Sequence, residues 1–129
     1  MRAADDLVAA FEARTLPKIE WTHEAHVVVC WATVARLGAD GALTHLRTAI
    51  PRYNEATGTP NSDTDGYHDT ITVYYVAAVG ALAGASLDEV LVHPSCSRTA
   101  ALAHWTRDRL FSVEARRGWV EPDLQPLPW

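Results

Sequence analysis

Two histidines in the segment 20–31 form the clearest chemical pattern in this sequence. His23 and His26 are three positions apart and Cys30 is seven positions from His23, so a helix would project all three side chains from one face. Two imidazoles on an otherwise apolar helix face are poorly solvated unless they form hydrogen bonds or share a metal ion. The spacing therefore indicates either a local hydrogen-bond network or part of a metal site.

His68 is the best candidate for a third ligand. It follows the turn-forming segment 57–66 and begins an apolar segment, so a helical bundle could bring it next to His23 and His26. Three neutral imidazoles leave coordination positions open, as in catalytic metal sites. We therefore predict that these histidines bind one transition-metal ion, with iron, copper, zinc and nickel all chemically admissible. The alternative is that they are structural side chains.

Glu20 and Tyr67 stand beside these histidines in the sequence. Glu20 could complete a two-histidine, one-carboxylate set or orient a ligand imidazole. Asp69 has the same options, although an acid at a helix start is more typical of an interaction with the helix dipole. A tyrosine next to a metal can donate a proton or hold a substrate. We therefore predict Glu20 and Tyr67 as catalytic residues, whereas Cys30 is more typical of a small buried hydrophobe.

Helical periodicity along the chain supplies the elements that would position these residues. Thr22 is a plausible N-cap, Gly38 is a stop signal, and Pro51 is expected to kink a helix or open a new one. The Pro-rich tail 119–129 is expected to pack across the helices as a strap. We predict an all-α fold, a compact helical bundle that forms a single domain over 1–129, with helices at 3–13, 22–37, 40–50, 68–83, 86–91, 97–106 and 112–117.

Composition excludes several classes of protein. The formal net charge of −5 and the absence of a basic face argue against nucleic-acid binding. No signal peptide is evident, and the longest mostly apolar run, 71–85, is shorter than the roughly 20 residues that cross a membrane. Two cysteines form no disulfide framework in a chain of this size. We therefore predict a cytoplasmic protein with neither a nucleic-acid nor a membrane partner.

The charged residues near the C-terminus suggest a further expectation. The basic side chains there alternate with acidic ones, so we expect them to form ion pairs. The basic members are Arg107, Arg109, Arg116 and Arg117, and the acidic members are Asp108, Glu114, Glu121 and Asp123.

Four short motifs are spread over the chain. They are Trp21-Thr22-His23-x-Ala25-His26, Arg52-Tyr53-Asn54-Glu55-x-x-Gly58-Thr59, Gly66-Tyr67-His68-x-Thr70-x-Thr72 and Leu110-Phe111-Ser112-x-Glu114-Ala115-Arg116. In these motifs the sequence resembles a family of small bacterial helical proteins that has no secure activity. The resemblance implies a helical fold and a shared site at His23, His26 and His68. It also implies that Asn54, Asn61 and the segment 111–116 shape a pocket near these histidines.

These observations favour a small metal-dependent enzyme that acts on a small organic substrate, in a pocket closed by the segment 57–66. Oxidoreductase chemistry would require iron or copper, whereas hydrolase or lyase chemistry would use metal-bound water. One alternative is a non-catalytic helical module that binds a small molecule or a metal. Another is an interaction protein with structural histidines. Tryptophan is enriched at protein interfaces, so the five Trp residues are also compatible with a homodimer.

Overall fold

The computed structural model describes residues 2–129, and that part of the chain contains helices and turns but no β-strand. The helices are α1 (Ala4–Glu12), α2 (His23–Ala56), α3 (Asp69–Gly80), α4 (Leu87–Val92), α5 (Arg107–Leu110) and α6 (Val113–Arg117). Short 3-10 helices occur at Lys18–Glu20, Pro94–Cys96 and Ala100–Ala103. The prediction of an all-α single-domain bundle is confirmed.

The longest element, α2, is a helical hairpin rather than a rod. Gly38 has φ 75° and ψ 171°, and it is the one position within α2 whose backbone is not helical. The rings of Trp21 and Tyr53 lie 5.0 Å apart, whereas a straight helix rising 1.5 Å per residue would separate these positions by about 48 Å. The chain therefore reverses at Gly38, so that the first arm (residues 23–37) lies beside the second arm (residues 39–56).

Local sequence signals explain the bounds of α2. The Thr22 side chain accepts a hydrogen bond from the backbone N–H of Ala25, which confirms the predicted N-cap. The second arm continues through Pro51 to Ala56 with helical dihedral angles, so Pro51 neither opens a new element nor ends this one. With a mean hydropathy of 1.3 over its most apolar part, α2 is long and apolar enough to cross a membrane by length and composition alone. The reversal at Gly38 divides it into two shorter arms.

The core forms where α3 packs against both arms of α2. Tyr74, Val76 and Val79 of α3 are buried there. Phe11 of α1 and Trp105 near the C-terminus close the two ends of this core, and both are almost completely inaccessible to solvent. Six of the twelve residues of α3 are buried, in keeping with its apolar composition.

The predicted helix over 97–106 is wrong. Only the 3-10 helix Ala100–Ala103 forms there, because Ser97 is extended and Trp105 turns into the core. The indole N–H of Trp105 donates to the carbonyl of Val120 at 3.0 Å, and the N–H of Val120 donates to Thr70. The C-terminal segment therefore packs across the bundle, as the predicted strap required.

Candidate functional site: a cavity between the arms of α2 and α3

A cavity of about 500 Å³ lies between the two arms of α2, α3 and the segment 98–111. We call it the apolar cavity, because most of its wall is aliphatic or aromatic. Its wall comprises Trp21, Thr22, His23, His26, Val27, Val29, Cys30, Leu46, Ile50, Ile71, Thr72, Tyr75, Val76, Arg98, Thr99, Ala101, Leu102, Leu110 and Phe111. The hairpin at Gly38 creates this space, since it places the first and second arms of α2 on facing walls.

A second space of about 440 Å³ adjoins the first, and we call it the polar cavity. Its wall comprises Lys18, Trp21, His26, Ile50, Asn54, Thr57, Thr59, Gly66, Tyr67, His68, Ile71, Thr72, Phe111 and Arg116. Six of these residues also line the apolar cavity, namely Trp21, His26, Ile50, Ile71, Thr72 and Phe111. The two cavities therefore adjoin along these six residues, and the second one contains Lys18 and Arg116.

His26 lies at the junction of the two cavities. Its Nδ1 is 2.7 Å from the carbonyl oxygen of Thr22, which can only accept, so Nδ1 carries the proton. The Trp21 ring lies against the imidazole, with 3.7 Å between centroids. His26 is exposed to solvent and lines both cavities. Desolvation lowers the pKa of His26 to about 4. The hydrogen bond to Thr22 opposes this effect, and the charge of His23 adds a smaller decrease. The neutral ring therefore offers Nε2 as an acceptor at neutral pH.

His23 is the second histidine of the apolar cavity. Its Nε2 is 2.8 Å from the carbonyl oxygen of Cys96, so Nε2 donates and Nδ1 is the acceptor of the neutral ring. Its ring meets the edge of Tyr75 at a centroid distance of 5.3 Å. The hydrogen bond joins α2 to the 3-10 helix Pro94–Cys96, across 73 positions of sequence.

His68 is a buried helix cap. Its Nδ1 accepts from the N–H of Ile71 at 3.2 Å, and its Nε2 donates to the carbonyl of Leu110 at 2.6 Å. Burial is the main cause that lowers the pKa of His68; the bond to Leu110 opposes this effect and the charge of Arg116 adds to it. Both ring nitrogens are therefore used, one to start α3 and one to hold the end of α5.

These positions do not fit the predicted three-histidine metal site. Among residues 2–129, no three His, Cys, Asp or Glu side chains are grouped so that they could hold a metal ion. His68 has no nitrogen lone pair left for a metal, because Nδ1 already accepts a hydrogen bond and Nε2 carries a proton. His23 and His26 share the apolar cavity, but His68 lines only the polar cavity.

The two predicted catalytic residues are engaged elsewhere. Glu20 forms an ion pair with Arg2 at 2.8 Å and is absent from the walls of both cavities as the structure describes them. Tyr67 lines the polar cavity, but its hydroxyl donates to Asp69 at 2.7 Å. Burial and this hydrogen bond raise the pKa of Tyr67 above its usual value. Neither residue is placed as a proton donor to a ligand in the apolar cavity.

Asp69 stabilises the start of α3. Both of its carboxylate oxygens accept from Arg47, at 2.9 and 3.0 Å, and one of them also accepts from Tyr67. Cys30 lines the apolar cavity, and burial raises the pKa of its thiol to about 12, so it presents a protonated, weakly polar wall. Cys30 is buried, as expected of a small hydrophobe, whereas Asp69 binds Arg47 and Tyr67, two partners that its position at a helix start did not predict.

Sequence reasoning did not identify Lys18 and Arg98 as residues of this site, and it reached Arg116 only through its motif. Arg117 forms an ion pair with Asp63 in the segment 57–66 and not, as predicted, with an acidic residue of the C-terminal cluster. Arg116 donates to the carbonyls of Gly66 and Tyr67 and faces the polar cavity. Lys18 and Arg98 also line the site. The proximity of Lys18 to the Trp21 motif was the only available signal.

No family model matches this chain, and no curated protein or solved structure shows significant similarity to it. The resemblance to a bacterial family therefore stays a prediction. Of the residues that the resemblance placed near the histidines, Asn54, Phe111 and Arg116 line the polar cavity, whereas Asn61 is absent from its described wall.

Proposed function

We propose that this protein is a non-catalytic helical module that binds a small, mainly apolar organic molecule between the arms of α2 and α3. The observation that carries the proposal is the apolar cavity itself. Its volume of about 500 Å³ falls within the range of roughly 300–1,000 Å³ typical of ligand sites. A folded core is normally packed without such spaces, so a ligand is the simplest occupant.

The wall supports recognition of an organic ligand. Trp21 and Phe111 offer aromatic surface, and His26 offers a neutral acceptor beside them. Burying apolar area against such walls contributes about 25 cal/mol per Å², so a ligand with a hydrocarbon or aromatic body would be retained. A few fixed polar groups in an apolar wall orient a ligand rather than supply its affinity.

Binding without catalysis suits this geometry better than metal-dependent catalysis. The three predicted ligands do not form one coordination set, and the predicted proton donor, Tyr67, already donates to Asp69. A redox or hydrolytic reaction at a bound metal therefore remains a prediction from the sequence.

The proposal can be tested with N-phenylnaphthylamine, a neutral apolar fluorophore that brightens on burial. Titration of the protein should give saturable enhancement. The substitution Ile71→Trp should weaken the affinity for the fluorophore by about tenfold or more. The larger side chain would fill the junction of the two cavities, and overpacking removes the binding space. Val92→Trp is the matched control, because Val92 is 82% exposed and lies outside both walls.

Circular dichroism melting of both variants would show that they remain folded. Absence of saturable enhancement in the parent protein, or equal loss in the Ile71 and Val92 variants, would contradict the proposal.

A further inference from the structure

We propose, resting on the binding function above, that the natural ligand is an amphipathic organic anion. Its head group binds in the polar cavity between Lys18 and Arg116, and its apolar body occupies the apolar cavity. Three features support this assignment, namely the distribution of charge, the hydrogen bonds of Arg116 and the wall that the two spaces share.

The charge on the cavity walls is opposite in sign to that of the whole chain. The sequence contains 16 acidic and 11 Lys or Arg residues, for a formal charge of −5. In contrast, the described walls of the two cavities contain Lys18, Arg98 and Arg116 but no Asp or Glu. A cleft lined by one sign of charge, with low-dielectric walls, attracts ligands of the opposite sign.

These cations lack a protein counter-ion within the described part of the chain. Arg47 and Arg117 pair with Asp69 and Asp63, but no carboxylate of residues 2–129 lies within 4.0 Å of Lys18, Arg98 or Arg116. An anionic head group would supply the missing partner at the polar end.

Arg116 is held in place for such a role. Its Nη1 donates to the carbonyls of Gly66 at 3.1 Å and Tyr67 at 3.3 Å, and these bonds fix the guanidinium at the rim of the polar cavity. A guanidinium has five N–H donors in a planar fork, so donors remain for a carboxylate or phosphate oxygen. Its charge is felt inside the cavity, because it helps to lower the pKa of His68 after the larger effect of burial.

The shared wall lets one molecule reach both ends. Trp21, Ile71 and Phe111 line the apolar and the polar cavity alike. A ligand with a charged head and a single unbranched chain can therefore place each part in the cavity that suits it. A cationic head group would meet repulsion from Lys18 and Arg116, and a neutral one would leave them without a partner.

The test compares decanoate, decanol and decylamine by isothermal titration calorimetry. These probes share one chain and differ in head-group charge. The parent protein should bind decanoate tightest. Lys18→Met and Arg116→Met should each weaken decanoate about tenfold, the loss expected of one charge-assisted hydrogen bond, and change decanol less than about twofold. Arg36→Met is the matched control, because Arg36 is exposed and lies outside both walls.

The outcomes separate this inference from the proposed function. If none of the three probes binds, the binding function itself fails. If decanol or decylamine binds as tightly as decanoate, the site exists but the anion assignment is wrong. The same conclusion follows if neither Lys18→Met nor Arg116→Met lowers the ratio of the affinity for decanoate to that for decanol. Arg116→Met also removes the hydrogen bonds to Gly66 and Tyr67. If this variant does not fold, the result for Lys18→Met alone tests the inference, because Lys18 is exposed.

Discussion

At His26, one backbone carbonyl and one tryptophan ring decide what an imidazole can do. The Thr22 carbonyl fixes the proton on Nδ1, and desolvation beside Trp21 keeps the ring neutral. A histidine that sequence spacing assigns to a metal site is thereby also suited to be a hydrogen-bond acceptor in a ligand cavity. A metal ligand and a hydrogen-bond acceptor differ in how substitution of the histidine changes the stability and the metal content of the protein.

The lowered pKa of His26 predicts that the folded state loses stability in mild acid. The unfolded chain takes up a proton near pH 6.5, whereas the folded ring does so near pH 4. The stabilisation is therefore complete above pH 6.5 and is lost as the pH falls from 6.5 to 4. We expect His26→Asn to show a smaller drop in melting temperature between pH 7 and pH 5 than the parent.

His93→Asn is the control for this comparison. His93 is exposed and accepts from the N–H of Ser95, a role that Asn retains. If His26→Asn and His93→Asn show the same pH dependence as the parent, the proposed neutral state of His26 is wrong.

The cap formed by His68 gives a second prediction at the scale of one residue. His68→Asn keeps an acceptor for Ile71, whereas His68→Ala loses both this cap and the bond to Leu110. We expect the Ala variant to be less stable than the Asn variant by about 1 kcal/mol in urea unfolding. Elemental analysis of protein purified without an affinity tag should show equal metal content in parent and variants. Near-stoichiometric metal in the parent that disappears in His68→Ala would restore the metal site.

At the scale of elements, local signals were readable from the sequence and long-range contacts were not. Thr22 acts as the predicted N-cap, and Gly38 interrupts the helix where expected. The helix over 97–106 failed because Trp105 is turned inward by a bond to Val120, which no local pattern encodes.

The same division applies to the candidate site. The spacing of His23 and His26 correctly marked a helix face that lines a cavity. Their function depends on partners that periodicity cannot reveal, since the carbonyl bound by His23 is 73 positions away and that bound by His68 is 42 positions away. Local spacing therefore could not supply the hydrogen-bond partners that decide what these histidines do.

The hairpin of α2 gives a prediction at this scale. With φ 75° and ψ 171°, Gly38 occupies a conformation that side chains disfavour, although its Cβ would meet no atom within 4 Å. Gly38→Ala should therefore destabilise the protein by about 1–3 kcal/mol through backbone strain alone. Gly118→Ala is the control, because Gly118 is extended and equally open. Equal free energies of unfolding for the two variants would show that Gly38 does not enforce the reversal.

At the scale of the whole molecule, distant segments of the chain close the polar cavity together. Arg117 binds both carboxylate oxygens of Asp63, at 2.8 and 2.7 Å, and so joins α6 to the segment 57–66. In that segment, Asn61 donates to the carbonyl of Pro51 and accepts from the N–H of Tyr67. The rim of the site thus depends on the complete fold, and a ligand bound there would stabilise all of these segments at once.

Ligand-induced shifts in proton–nitrogen correlation NMR spectra, recorded during titration with decanol, test the central claim most directly. Decanol carries no charge, so the result is independent of the anion assignment. We predict that the largest amide shifts fall in residues 23–30 and 71–76, two helical segments that line the apolar cavity. Shifts centred instead on the exposed Val92 or Leu124, or no saturable shifts at all, would contradict the account.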